Sequence, residues 1–496
     1  MPTEETIPQQ PKRASNRIDA EVWSVATVLI LGSIMSVLDT TIVNVALDSL
    51  SRDLHSSLDD VQWVVSAYLL SLAAVIPVTG WSARRYGAKN VYLVSIVLFT
   101  AGSALCGLAH TTGELVLFRV FQGVGGGIIM PVGQMILVKV SGPRNLARVM
   151  GAYSVPVVLA PVLGPTIGGL LLDTVGWRWI FFVNVPIGVV AVILGLRKLH
   201  ADPPEDAGPF DWFGLILVAT GLAGITYGLA EVGSAGNVLT QVAVPLVGGA
   251  LLVAGFVLRS LRTSHPLLDM RLYANKAFSA ASVTTFCLGA ALFGGMILMP
   301  LYFQTVRHED ALLTGLLLVP RGVGGAVAGW VSGRLTDRLG AGLTAAIGGL
   351  TGLVFTIPFV MIGPTTPYVL ICSLMVMQGF GLGLTFTPVM TAAFRALRPS
   401  QVNDASPQLN ILMRVGGSIS TAIFTVVLQQ NLTRAGRSPT AQASAFGTTF
   451  WWVLGFTAVA VIPTVVLMAI ERRQAPGSAG PVQRPLDAVP LVPEME

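Results

Sequence analysis

Apolar runs of about twenty residues recur from residue 25 to residue 470, and the short connections between them hold most of the charge. A helix rises about 1.5 Å per residue, so about twenty apolar residues cross the hydrocarbon of a bilayer. On that criterion the pattern predicts fourteen membrane-spanning helices, at 25–47, 61–83, 89–110, 114–139, 148–172, 179–199, 211–231, 240–260, 277–304, 311–333, 341–362, 367–393, 407–430 and 448–470. The first run is longer than the apolar core of a signal peptide and is kept as a span. An even number of spans puts both chain ends on one side of the membrane.

Composition agrees with the pattern. Charged residues make up 11% of the chain, hydrophobic residues 53%, and the mean hydropathy is +0.72, whereas a soluble protein is about 25% charged. A water-soluble enzyme or nucleic-acid binder cannot build its surface from this. The net charge of +5 does not point to nucleic acid either, because the basic residues form no patch and lie in the connections. Their placement carries topology instead. With the termini cytoplasmic, the inner segments hold 22 of the 30 Lys and Arg residues, the outer loops hold Arg52, Arg178, Arg307, Arg434 and Arg437, and the spans hold Arg119, Arg321 and Arg414. The positive-inside rule therefore selects cytoplasmic termini. Trp residues such as Trp23, Trp81, Trp179 and Trp452 fall near span ends and suit interfacial anchoring.

An internal repeat divides the chain. Gly80-Trp81-Ser82-Ala83-Arg84-Arg85-Tyr86-Gly87 follows span 2, and Gly333-Arg334-Leu335-Thr336-Asp337-Arg338-Leu339-Gly340 follows span 10. Glycine closes both ends of each stretch, and Arg85 matches Arg338. If these turns are equivalent, spans 1–6 correspond to spans 9–14 and spans 7 and 8 are an inserted pair. The expected organisation is an N-terminal tail (1–22), a six-helix half (23–200), a two-helix insertion (201–262), a second six-helix half (263–473) and a Pro-rich, unfolded cytoplasmic tail (474–496).

Few residues inside the spans can carry chemistry. Asp39, in span 1, is the clearest acidic residue well inside an apolar run. A carboxylate at the membrane centre costs about 2.5–3.5 kcal/mol on insertion scales, so it requires a cavity or a partner and is a candidate for taking up and releasing a proton. A carboxylate that merely braces the end of a helix is the alternative. Arg119, early in span 4, needs a partner too, and a guanidinium whose distance from Asp39 changes would load and unload that proton. Gly123 and Gly127, four residues apart, suit close packing. In span 5, Gly164-Pro165-Thr166-Ile167-Gly168-Gly169 joins a missing backbone donor to small residues and is expected to kink or hinge. Arg321 and Arg414 have no assigned role. The three cysteines and five histidines lack metal-ligand spacing, and the chain has no ATP-binding loop motif. No enzyme chemistry or cofactor is indicated, so active transport would draw on a gradient.

At these residues the chain resembles the fourteen-span drug:proton antiporters of the major facilitator superfamily, the EmrB/QacA type. The resemblance covers roughly residues 25 to 470. It rests on Leu38 to Leu47 in span 1, Arg119-x-x-Gln122-Gly123 in span 4, Gly164-Pro165-x-x-Gly168-Gly169 in span 5, and Trp177 to Gly188 entering span 6. It implies an all-helical 6 + 2 + 6 fold in a plasma membrane and proton-driven export of amphipathic, often cationic compounds, including antibiotics. It also implies proton coupling by Asp39 and Arg119. Gly80, Arg84, Arg85, Gly87, Asp337, Arg338 and Gly340 would form a cytoplasmic latch between conformations. Lipid, protons and an amphipathic small molecule are the implied partners; the substrate-binding residues and a periplasmic adaptor are left open. Two positions depart from the pattern. Arg84 stands where the first cytoplasmic motif has Asp, although the second copy keeps Asp337, and Asp48 stands where the first-helix signature ends in Pro. Arg84 reverses a charge in the expected latch, so the closed state should be held differently here.

Overall fold

The structure, a computed structural model, describes residues 19–232, 236–436 and 438–474. The tail before residue 19 and the Pro-rich tail after 474 lie outside the described residues. Among the described residues, fourteen helices are long and apolar enough to cross a membrane: Ala20–Asp53, Asp60–Tyr86, Ala88–Leu108, Thr112–Gly142, Arg144–Thr174, Arg178–Lys198, Trp212–Ala230, Leu239–Arg262, Lys276–Thr305, Leu312–Leu339, Ala341–Met361, Tyr368–Arg395, Pro399–Ala435 and Pro439–Arg473. They are numbered spans 1 to 14, and each contains or overlaps one predicted run. Outward-facing Leu196, Ile216, Leu251 and Ile462 are exposed on them, an apolar surface that lipid satisfies.

Local chemistry sets the ends. Ser57, Thr111, Asp211, Asn275 and Asp310 each accept a backbone N–H of the helix that follows, which satisfies donors left open at a helix start. Gly87 and Gly340 stop spans 2 and 10 at φ of 81° and 88°, a conformation that disfavours any side chain. The two sit at the same place in the repeated stretch. Spans 4 and 5 form one helical path interrupted only at Gly142 (φ 63°, ψ 168°). Pro165 lies within span 5, whose backbone keeps helical dihedrals past it, and the one non-helical residue of the path is Gly142, in the turn between spans 4 and 5.

Packing repeats between the two ends of the chain. Span 1 touches spans 4, 5 and 6, span 3 touches spans 4 and 6, and span 2 packs on span 4; span 9 touches spans 13 and 14, span 11 touches spans 12 and 14, and span 10 packs on span 12. Small residues permit the close approaches. A Cβ on Gly123 would meet the Tyr68 carbonyl at 2.7 Å, and one on Gly168 would meet Ile42 at 2.9 Å, whereas Gly169 faces open space. Between the two groups, span 10 lies along span 5 through Gly325, Gly329 and Gly333, and the start of span 13 meets the end of span 2 at Gly80. Span 8 packs on span 7, and span 7 sits between spans 2 and 13, with Trp63 stacked on Tyr227.

Candidate functional site

Asp39 is fully buried in the N-terminal group and held by three side chains from two helices. Arg119 Nη1 donates to its Oδ2 at 2.6 Å, Gln122 Nε2 donates to its Oδ1 at 2.9 Å, and Asn184 Nδ2 donates to Oδ1 at 3.1 Å. Arg119 and Gln122 lie three residues apart on span 4, which places both on one face. Arg119 is anchored further: Nε donates to the Val64 carbonyl at 3.0 Å, Nη1 donates to Gln122 Oε1 at 2.7 Å, and the guanidinium sits 4.0 Å from the Tyr68 ring centre. Asn184 also donates to Ser103 Oγ, which donates to the Phe181 carbonyl. Its own Oδ1 is buried with no partner.

This arrangement stabilises the charged form of Asp39 and leaves one acceptor beside it. The carboxylate accepts from three donors, one of them a guanidinium, which offset the cost of placing it in hydrocarbon. A protonated Asp39 becomes a donor and needs an acceptor. The unpartnered Oδ1 of Asn184 supplies one after rotation of the amide.

Beside this cluster a cavity of about 700 Å³ lies between the two helix groups. Thr40 and Thr41, within one turn of Asp39, and Asn44 border it, while the Asp39 carboxylate points away from it toward spans 4 and 6. Span 13 presents Asn410, Met413, Arg414, Gly417, Ser418 and Thr421 to the cavity, and Thr226, Leu229 and Ala230 of span 7 complete a wall. These positions run from the middle of the spans toward the end opposite Gly87 and Gly340.

The Gly87 end is shut by two contacts of reversed polarity. Arg84 Nη1 donates to Asp404 Oδ2 at 2.9 Å, joining span 2 to span 13, and Arg148 Nε donates to Asp337 Oδ2 at 3.0 Å, joining span 5 to span 10. Arg395 adds a second contact to Asp337 at 3.3 Å. The glycine four residues before each repeated position fixes the match: a Cβ on Gly80 would meet the Asn403 carbonyl at 2.5 Å, and one on Gly333 would meet the Ala147 carbonyl at 2.7 Å. Asp404 and Arg148 follow those two residues directly. The Arg at position 84 is therefore matched by an Asp on its partner helix, and the attraction survives the exchange of signs.

The structure thus brings Asp39, Arg119 and Gln122 together and sets the latch residues at one end. Gly164 and Gly168 pack against Thr41 and Ile42 of span 1. Arg85 and Arg338 make no ion pair among the described residues. Sequence reasoning missed Asn184, Ser103 and Tyr68 as parts of the cluster, and Asp404 and Arg148 as latch partners. Asn184 carried a signal, being a lone amide in an apolar run.

Fourteen spans, an ion pair sealed from lipid and a drug-sized cavity shut at one end define a membrane transporter. The model of the Major Facilitator Superfamily matches residues 29–421, and the chain belongs to that family. Among its relatives, the "Multidrug resistance protein B homolog" of Mycobacterium tuberculosis is 36% identical over 425 residues, covering 83% of this chain and 77% of the relative. The "Multidrug export protein EmrB" of Haemophilus influenzae is 30% identical over 404 residues, covering 80% and 78%. The proton:xylose symporter XylE shares the fold at a TM-score of 0.58 and 13% identity, covering 89% of this chain and 96% of that one.

Two outcomes follow from the geometry. Arg119→Met leaves Asp39 without its cation and should destabilise the protein by about 3–5 kcal/mol, whereas Asp39→Asn/Arg119→Met removes both charges and should recover much of the loss; unfolding midpoints in detergent measure this. Arg84→Asp sets two carboxylates against each other and should raise the population open at the Gly87 end on the order of fivefold. Arg84→Asp/Asp404→Arg should restore it, as read by electron-resonance distances between labels on spans 2 and 13.

Proposed function

We propose that this chain exports amphipathic small molecules across a plasma membrane in exchange for protons, by alternating access, with both termini cytoplasmic. The observation that carries the reading is the buried Asp39–Arg119 pair, one helix turn or less from residues that line the cavity. The names of the multidrug relatives support the direction and the substrate class. The repeated packing supports two six-helix halves, 23–200 and 263–473, with 201–262 inserted between them.

On this reading the structure is the outward-facing state, closed at the cytoplasmic end by the Arg84–Asp404 and Arg148–Asp337 contacts. A proton entering from outside neutralises Asp39, weakens its hold on Arg119 and changes the packing of span 1 against spans 4 and 5. Span 1 borders the cavity, so that change reaches the substrate. Release of the proton to the cytoplasm restores the pair. One proton is worth about 2.3 kcal/mol per 100 mV and about 1.4 kcal/mol per pH unit, enough for a few-hundred-fold gradient of a neutral substrate.

Dye accumulation in an efflux-deficient bacterium tests the reading. With a panel of amphipathic dyes of either charge, cells expressing wild type should exclude at least one dye, and both an uncoupler and Asp39→Asn should abolish the exclusion. Well-expressed protein that excludes none would contradict drug export and leave a dedicated exporter of one endogenous metabolite or lipid.

A further inference from the structure

The cavity is one-sided in charge. Among the described residues that line it, Arg414 alone is charged. It lies near the middle of span 13, it forms no ion pair, and no described residue accepts a hydrogen bond from it. A second cation stands behind the same wall. Arg321 is buried and donates to the Ala291 carbonyl at 3.2 Å, again with no carboxylate partner, and it borders a small void that shares Pro161, Leu292 and Met296 with the main cavity. Asp39, beside the cavity, points away and is already neutralised by Arg119, and Glu231, which follows the lining residue Ala230, has an interaction of its own.

A guanidinium inside a membrane protein needs a counter-charge, and positions of this kind mark ligand paths. Arg414 has the means to hold one. Asn410 and Ser418 lie one turn before and after it on the same face of span 13, and Gly417 lets the Phe293 ring pack close against the span. Phe293, Met296 and Leu69 supply the apolar walls. An acid group would meet a planar fork of donors, and an apolar body would meet hydrocarbon.

We propose that Arg414 recognises the substrate, and that the cavity takes amphipathic monoanions, an apolar body bearing one carboxylate or similar acid, in preference to lipophilic cations. The inference rests on the export reading above and narrows its substrate class. It also changes the energetics. At one-for-one exchange, a departing monoanion and an entering proton both move charge in the same sense, so the membrane potential acts twice; for a monocation it does not act at all.

Three fluorescent probes with one apolar body test this: 9-anthracenecarboxylate, 9-anthracenemethanol and 9-anthracenemethylammonium, with purified full-length protein in phosphatidylcholine liposomes. The carboxylate should bind about tenfold more tightly than the ammonium. Arg414→Gln should weaken the carboxylate by about tenfold and leave the alcohol within about twofold, with Arg414→Lys between. Equal losses for all three probes in Arg414→Gln would mark a merely structural cation and overturn the proposal. So would carboxylate binding that phosphatidylglycerol abolishes and that leads to no transport, which would make Arg414 a lipid headgroup site. Proton-driven export of the ammonium but not the carboxylate overturns the charge assignment and leaves the export reading standing. Movement of no probe by wild type overturns both.

Discussion

A carboxylate cannot be left alone in hydrocarbon, and the N-terminal half of this molecule is organised around that constraint. Asp39 is fully buried and receives donors from Arg119, Gln122 and Asn184. Each donor is fixed in turn: Arg119 by the Val64 carbonyl and the Tyr68 ring, Gln122 by its place one turn from Arg119, and Asn184 by Ser103. Spans 1, 2, 3, 4 and 6 are thereby tied to one charge. A cluster so densely bonded resists partial rearrangement, because removing one partner exposes the rest. Under the proposed function, a single proton is the least change that relaxes it.

The cavity is built on the opposite principle. Its walls are mostly apolar, and the charge it presents, Arg414, has no ion-pair partner among the described residues. Tyr68 links the two regions, lying under Arg119 and within electrostatic range of both Asp39 and Arg414. An internally paired charge suits an ion that comes and goes without leaving the protein strained. An unpaired one suits a ligand that brings its own counter-charge.

Much of this was legible in the sequence. Period and length gave all fourteen spans, because lipid demands about twenty apolar residues whatever the tertiary context. Asp39 and Arg119 stood out because charges in such runs are costly. The repeated octapeptide exposed the equivalence of the turns after spans 2 and 10. What the sequence hid was pairing across distance. Nothing near Arg84 names Asp404, 320 residues away, so Arg84 showed only that the closed end should be held differently, without saying by what. The turn at Gly142, where the chain reverses between spans 4 and 5, was marked by no more than a Gly-Pro pair. Arg414 had no role because its neighbours on span 13 are ordinary polar residues, and only the cavity makes them a group.

The central claim is that Asp39 changes its protonation state as substrate and proton exchange. Infrared difference spectra of the reconstituted protein, recorded on raising and lowering pH with and without a transported substrate, observe this directly. The account predicts a protonated-carboxyl band that appears with acid, shifts its midpoint when substrate is present, and vanishes in Asp39→Asn. A band that persists unchanged in Asp39→Asn, while wild type still transports, would contradict it.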